Sequence, residues 1–232
     1  MPLTPQSVQR RQGDRMAKGM RRGRRISAKS TVPSSDDPLA PYLASCAVID
    51  VAHPAVQALA KTLRASDGAI LPTAQACFEW VRDNIRHSSD YQLNPVTCSA
   101  SEVLEGGTGY CYAKAHLLAA LLRANAIPAG LVYQRLSMGD SGPPYCTHGL
   151  NAVWLPDVGW YRVDPRGNKP GVDAQFTPPE ERLAFTLHDN EEYFFPHVYA
   201  YPLPAIVKAL RWWDTWDKLY IHLPDIPGRK GR

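Results

Sequence analysis

Residues 106–116 read GGTGYCYAKAH, and the helix they open continues as LLAALLRANAIPAG to residue 130. Gly106, Gly107 and Gly109 let the backbone turn tightly and approach other groups closely. They deliver Cys111 to the first turn of a helix predicted over 111–126. Its polar residues after the cysteine are Lys114, His116, Arg123 and Asn125. At about 100° per residue these fall into two narrow stripes on opposite sides, with Ala and Leu between them. A helix that is apolar over most of its circumference sits inside a domain. Ile127-Pro128 ends it.

A thiol is a good nucleophile only as thiolate. Free N–H groups and the helix dipole at an N-terminus favour that anion. The glycines also leave backbone N–H groups open to serve as an oxyanion hole, with Gly109 and Tyr110 beside the thiol. On position alone, a buried structural cysteine stays open as the alternative.

Upstream, TVPSSDDPLAP (31–41) is a Pro/Ser/Asp linker that starts the domain. Val56, Leu59, Ala60 and Leu63 give one amphipathic helix within 48–68. Cys77, Trp80, Val81 and Ile85 give a second over 72–85. Ser99-Ala-Ser-Glu102 fits a capping box for a short helix ending at Gly106-Gly107. Downstream the period changes to that of strands. GLVYQRLS (130–137), GLNAVWLP (149–156) and GWYRVDP (159–165) are rich in β-branched and aromatic residues, and the last two are joined by a hairpin-like connection. A last helix is predicted over 203–221. The fold class is α+β, a central helix packed on an antiparallel sheet.

A nucleophilic thiol needs a base, and the base an orienting group. His116 is five residues on from Cys111, about 140° around the helix, and points away. His53, His87, His188, His197 and His222 have no distinctive setting. His148 opens the strand HGLNAVW, and Asp164 ends the strand WYRVDP. In a hairpin with Trp154 opposite Val158, His148 faces Asp164, which can accept its N–H and fix the tautomer.

GTGYCYAKAHLLAALLRANAIPAG (107–130) and THGLNAVWLPDVGWYRVDPRGN (147–168) resemble the two motifs of the transglutaminase-like superfamily, and the resemblance spans about 72–169. It implies a papain-like fold with Cys111 as nucleophile, His148 as base and acid, and Asp164 as the orienting group. It also implies an upstream oxyanion-stabilising side chain, for which Gln92 in DYQLNP is an amide donor to test. Three positions depart from the family's common pattern. Leu150 and Ala152 stand where it often has a tryptophan and a carboxylate, and Gly130 stands where an arginine often ends the helix motif. None is a triad position, so the departures bear on substrate preference. Cys146, two before His148, is expected near Cys111, but Cys111, Cys146 and His148 lack zinc spacing and no metal site is assigned.

Charge is unevenly spread over the 232 residues. Residues 1–30 hold nine basic residues against Asp14 alone, a net of +8, within a chain whose formal charge is +4. This segment almost lacks large apolar residues, so 1–38 reads as a disordered basic tail and linker and 39–228 as a single domain. The tail has no apolar h-region of a secretory signal, and through its charge it is a possible nucleic-acid contact. No apolar run approaches the ~20 residues that span a bilayer. Five cysteines, an odd number without CxxC, argue against a disulfide framework and for a cytoplasmic setting.

The expected activity is cysteine-dependent acyl transfer on a peptide or protein amide through a thioester. Hydrolysis is favoured over crosslinking, since no feature assigns an amine tunnel. No cofactor is called for, and no acidic loop has calcium-ligand spacing. Two rivals stay open: a catalytically idle binding module of the same fold, and an acyl-CoA-type acyltransferase using the same triad.

Overall fold

The computed structural model describes residues 38–139 and 141–227. The basic tail lies outside the described residues. A 3₁₀ turn at Ala40–Leu43 leads to α1 (Pro54–Leu63) and α2 (Ile70–Asn84). Two-residue β1 (Arg86–His87) runs into the single turn α3 (Ser88–Tyr91), and α4 (Ala100–Gly106) into β2 (Thr108–Gly109). Then come α5 (Cys111–Ala124), β3 (Ala129–Ser137), β4 (Tyr145–Leu155) and β5 (Gly159–Val163). The rest is β6 (Gln175–Thr177), β7 (Glu180–Arg182), β8 (Tyr193–Phe194), α6 (Pro204–Trp212) and α7 (Trp216–Tyr220). No helix among the described residues is long and apolar enough to cross a membrane.

The α+β reading holds. The main sheet has the order β5-β4-β3-β8, and its pairings are antiparallel. Every residue of α5 from Cys111 to Arg123 is buried. The helix packs on β3 and β4 on one side and on α1, α2 and α4 on the others. Its two polar stripes point into protein, and each side chain in them bonds a backbone carbonyl. On one side Lys114 Nζ donates to the carbonyls of Ile85 and Arg82, and Asn125 to that of Ala60. On the other, His116 Nδ1 bonds the Cys98 carbonyl, while Arg123 donates to those of Ala44, Ala129 and Ala200.

Three local expectations are corrected. First, the helix within 48–68 takes only Pro54–Leu63 and does not run on toward Gly68, while Val48 and Ile49 enter the core before it. Secondly, the helix expected over 203–221 is two helices. At the break, Asp214 lends its carbonyl to Val96 N–H and Asn94 Oδ1 accepts from Trp216 N–H at 2.7 Å, so tertiary partners replace helical ones. Thirdly, β4 begins at Tyr145, so His148 lies within the strand and does not open it. The β4–β5 register also differs: Leu155 pairs with Gly159 and Trp154 with Trp160, not Val158. Val158 N–H closes a turn on the Leu155 carbonyl and Gly159 takes φ +83°, a left-handed conformation that suits glycine. This moves the expected partner of each β4 residue by two positions, and a shift of two keeps every side chain on its face.

The departures at Gly130, Leu150 and Ala152 have steric reasons. A Cβ on Gly130 would collide with Val198 and press on the Tyr199 carbonyl. Leu150 and Ala152 are buried with Val132 beneath Trp160, Leu183, Phe194 and Val198, in a second apolar layer on the sheet. Gly149, between His148 and Leu150, faces α5. A Cβ there would stand 2.8 Å from Tyr112 Cδ1 and 3.2 Å from Tyr112 Cα. The Tyr112 hydroxyl is itself held by the Thr147 carbonyl, so the ring has no free path away. Gly149→Ala is expected to cost about 1–3 kcal/mol through overpacking, read as a lower urea midpoint at unchanged m-value.

Candidate active site

The thiol is placed by a sequence of local constraints. Ser99 caps α4, its side chain accepting Glu102 N–H while Glu102 returns a bond to the Ser99 backbone, as the capping box requires. Gly107 ends α4 at φ +62°. The chain then enters β2, which pairs in parallel with β1 so that His87 lies beside Gly109. Tyr110 is the N-cap in extended conformation, and its hydroxyl donates to the Trp216 carbonyl at 2.5 Å. Cys111 follows as the first helical residue, 7% exposed. The first N–H groups of a helix have no intrahelical acceptor, so the thiol stands in the field of free donors and of the helix dipole.

His148 and Asp164 meet as the residue pattern proposed, although through a different register. Nε2 of His148 lies 2.7 Å from Asp164 Oδ2. Asp164 has no exposed surface, and its Oδ1 accepts the Arg166 backbone N–H at 3.1 Å. With Nε2 on the carboxylate, Nδ1 is the ring nitrogen left for Cys111, whose sulfur lies near enough to act on the imidazole. Burial disfavours the imidazolium, but the Asp164 carboxylate and the Cys111 sulfur outweigh it and push His148 from 6.5 up to about 10. Phe185 meets the imidazole edge-to-face at 5.1 Å. Cys111, His148 and Asp164 thus form one connected chain of thiol, imidazole and carboxylate.

Cys111 and His148 open onto a cavity of about 290 Å³. Much of its wall is apolar, with Leu136, Phe185, Tyr220 and Leu223. Tyr110 also lines it, whereas Gly109 lies behind, where an added Cβ would touch Ala113 Cβ and Thr97 Oγ1 at 3.3 Å. Gly109 thus serves close packing of the chain before the thiol. Cys146 lines the same cavity, and burial first and the nearby Cys111 second push its thiol up to about 12. Gln92 is corrected. It is exposed, sits at the left-handed C-cap of α3 with φ +54°, and is not on the cavity wall. His87, dismissed on sequence, is on that wall, 7% exposed and edge-to-face with Tyr110 at 5.4 Å. Its signal was faint: only the β1–β2 pairing brings it beside the glycine approach to Cys111. Lys114, one turn along from Cys111, has no exposed surface, and burial presses its ammonium down to about 7 against the opposing pull of Asp164.

No curated protein matches this chain. A solved structure of a candidate cysteine protease from Cytophaga hutchinsonii is similar at 22% identity and TM-score 0.44, over 59% of this chain and 45% of that one. The periplasmic domain of TgpA from Pseudomonas aeruginosa is similar at 26% identity and TM-score 0.38, over 48% of this chain and 42% of that one. Its ethylmercury-bound form is similar at 24% identity and TM-score 0.41, over 53% and 46%. The chain therefore spans less than half the length of each. Residues 57–165 match the family model of the transglutaminase-like superfamily. That segment holds Cys111, His148 and Asp164, so the match to the transglutaminase-like superfamily takes in all three.

Proposed function

We propose that this chain is a cysteine-dependent acyl-transfer enzyme that cleaves peptide or protein amides. The observation that carries the reading is the connected set of Cys111, His148 and buried Asp164, with thiol and imidazole open to one cavity. Cys111 Sγ⁻ attacks the amide carbonyl carbon, and the π electrons move to oxygen. As the tetrahedral adduct collapses, the C–N bond breaks and imidazolium His148 gives its proton to the departing amine. A thioester remains on Cys111. His148, now neutral, takes a proton from water as the water oxygen attacks the thioester. The C–S bond breaks and the thiolate–imidazolium pair is restored. Asp164 holds the imidazole in one tautomer throughout. Water is the acceptor we assign, so the enzyme hydrolyses and does not crosslink. The apolar wall favours an acyl donor that presents an apolar side chain. Five free thiols support a reducing compartment such as the cytoplasm.

The test is iodoacetamide alkylation of Cys111 from pH 4 to 9, resolved by site with mass spectrometry, in wild type and His148→Ala. Rapid alkylation well below the ~8.5 of a free thiol, lost in the variant, is the expected result. An ordinary thiol profile indifferent to His148 overturns the enzyme reading and favours an idle binding module.

Asp164→Asn should lower turnover by roughly 10³–10⁴-fold through loss of imidazole orientation. It should also remove a pH-dependent part of stability. The folded imidazole is held above its ordinary 6.5, so this stabilisation is complete below pH 6.5 and is lost as pH rises through about 10. In urea, the stability gap between wild type and variant should therefore be widest near pH 6 and shrink toward pH 10.

A further inference from the structure

The acyl-transfer reading leaves one requirement unassigned. When the thiolate adds to a carbonyl, a full negative charge develops on oxygen, and donors must already be aimed there. The backbone N–H of Cys111 at the helix start is one. Gln92, expected to supply the second, is exposed and off the cavity wall.

His87 has the properties that position needs. It lies in β1, paired with Gly109, two residues before the thiol. It shares the cavity with Cys111 and His148 and is fixed by Tyr110 on its ring edge. It is more than nine-tenths buried, yet neither ring nitrogen has a hydrogen-bond partner among the described residues. Nδ1 is fully buried and unpartnered, with Asp90 Oδ2 3.8 Å away, too far for a hydrogen bond. A buried polar ring left unsatisfied is costly, and native chains keep few of them without a reason.

The surrounding charges keep this imidazole neutral. Burial acts first and the Arg166 guanidinium second, with Lys114 and His148 adding to it, and together they hold His87 well below 6.5. Asp90 opposes them, but its carboxylate is already committed to Arg166 at 2.7 and 3.0 Å and to Lys169 at 2.7 Å. A neutral imidazole carries one N–H. It can stabilise a nascent oxyanion without a proton being exchanged and without competing with His148 as base.

We infer that His87 is a catalytic residue: with its free Nε2 edge it donates a hydrogen bond to the oxyanion formed on attack by Cys111, alongside the Cys111 backbone N–H. The inference rests on the acyl-transfer reading. No bond is made or broken by His87 itself, and its N–H stays on the ring through both tetrahedral adducts.

Two probes of the same thiol separate this role from a structural one. Iodoacetamide is attacked at a saturated carbon and forms no oxyanion, whereas p-nitrophenyl acetate acylates through one. Both rates are measured at pH 7 in wild type, His87→Phe and His87→Gln. Phe keeps the ring packed on Tyr110 without a donor, and Gln restores an N–H donor. Expected is a fall in acylation of about 10²–10³-fold in His87→Phe, alkylation within twofold of wild type, and recovery of most of the acylation rate in His87→Gln. If both rates fall together in His87→Phe, or if neither falls, the inference is overturned. A wild-type thiol inert to iodoacetamide would instead sink the enzyme reading itself, so the two failures are distinguishable.

Discussion

A carboxylate with no exposed surface, Asp164, lies beneath Cys111 and His148, and the site's architecture follows from the need to satisfy it. An isolated buried charge is strongly destabilising, and one whose partner is removed typically costs about 3–5 kcal/mol. Asp164 meets that demand with two bonds, one from the Arg166 backbone and one from His148. The first fixes the turn that leaves β5. The second ties β5 to β4 beyond the end of their backbone ladder and orients the imidazole. The carboxylate that raises the His148 imidazole thus also closes the sheet at the end that faces the cavity.

The sheet must then be held against the helix that bears the thiol, and polar contacts set that fit. Asn151 in β4 donates to the Ala115 carbonyl at 2.9 Å, and Tyr112 in α5 donates to the Thr147 carbonyl. Gly149, with no side chain, lets the two backbones come together between these bonds. On the opposite side Lys114 binds the carbonyls where α2 runs into β1. That bond joins the helix of Cys111 to the strand of His87. Side chains read as two polar stripes on a buried helix are therefore its spokes, each bonded to a carbonyl of a neighbouring element. Buried polar groups of this kind are tolerated only when paired, and their pairing fixes the helix in both rotation and height.

Much of this was legible in the residues, for reasons that are local. The capping box at Ser99, the helix end at Gly106-Gly107, the buried character of α5 and the strand alternation of β4 depend on neighbours in sequence. His148 and Asp164 were paired from a wrong register and still met, because an error of two residues leaves faces unchanged. What failed depended on contacts that sequence spacing does not encode. Gln92 has the right chemistry for an oxyanion donor, but α3 turns it to solvent. His87 was passed over because a two-residue parallel pairing, too short to carry any periodicity, is what places it. The break between α6 and α7 follows from Asn94 and Val96, more than a hundred residues away, which take part in its backbone bonding.

The boundary of the family match divides the cavity in an informative way. Cys111, His148 and Asp164 all lie within residues 57–165. Phe185, Tyr220 and Leu223, which supply much of the apolar wall, lie beyond it. The same later part of the chain brings Val198 and Tyr199 against Gly130, and Leu183, Phe194 and Val198 over Leu150 and Ala152. The three departures from the family pattern thus have one common cause: this segment crosses the sheet, so the residues beneath it must be small or apolar. It then continues to the rim of the cavity. The departures and the shape of the cavity are two consequences of one wrapping segment.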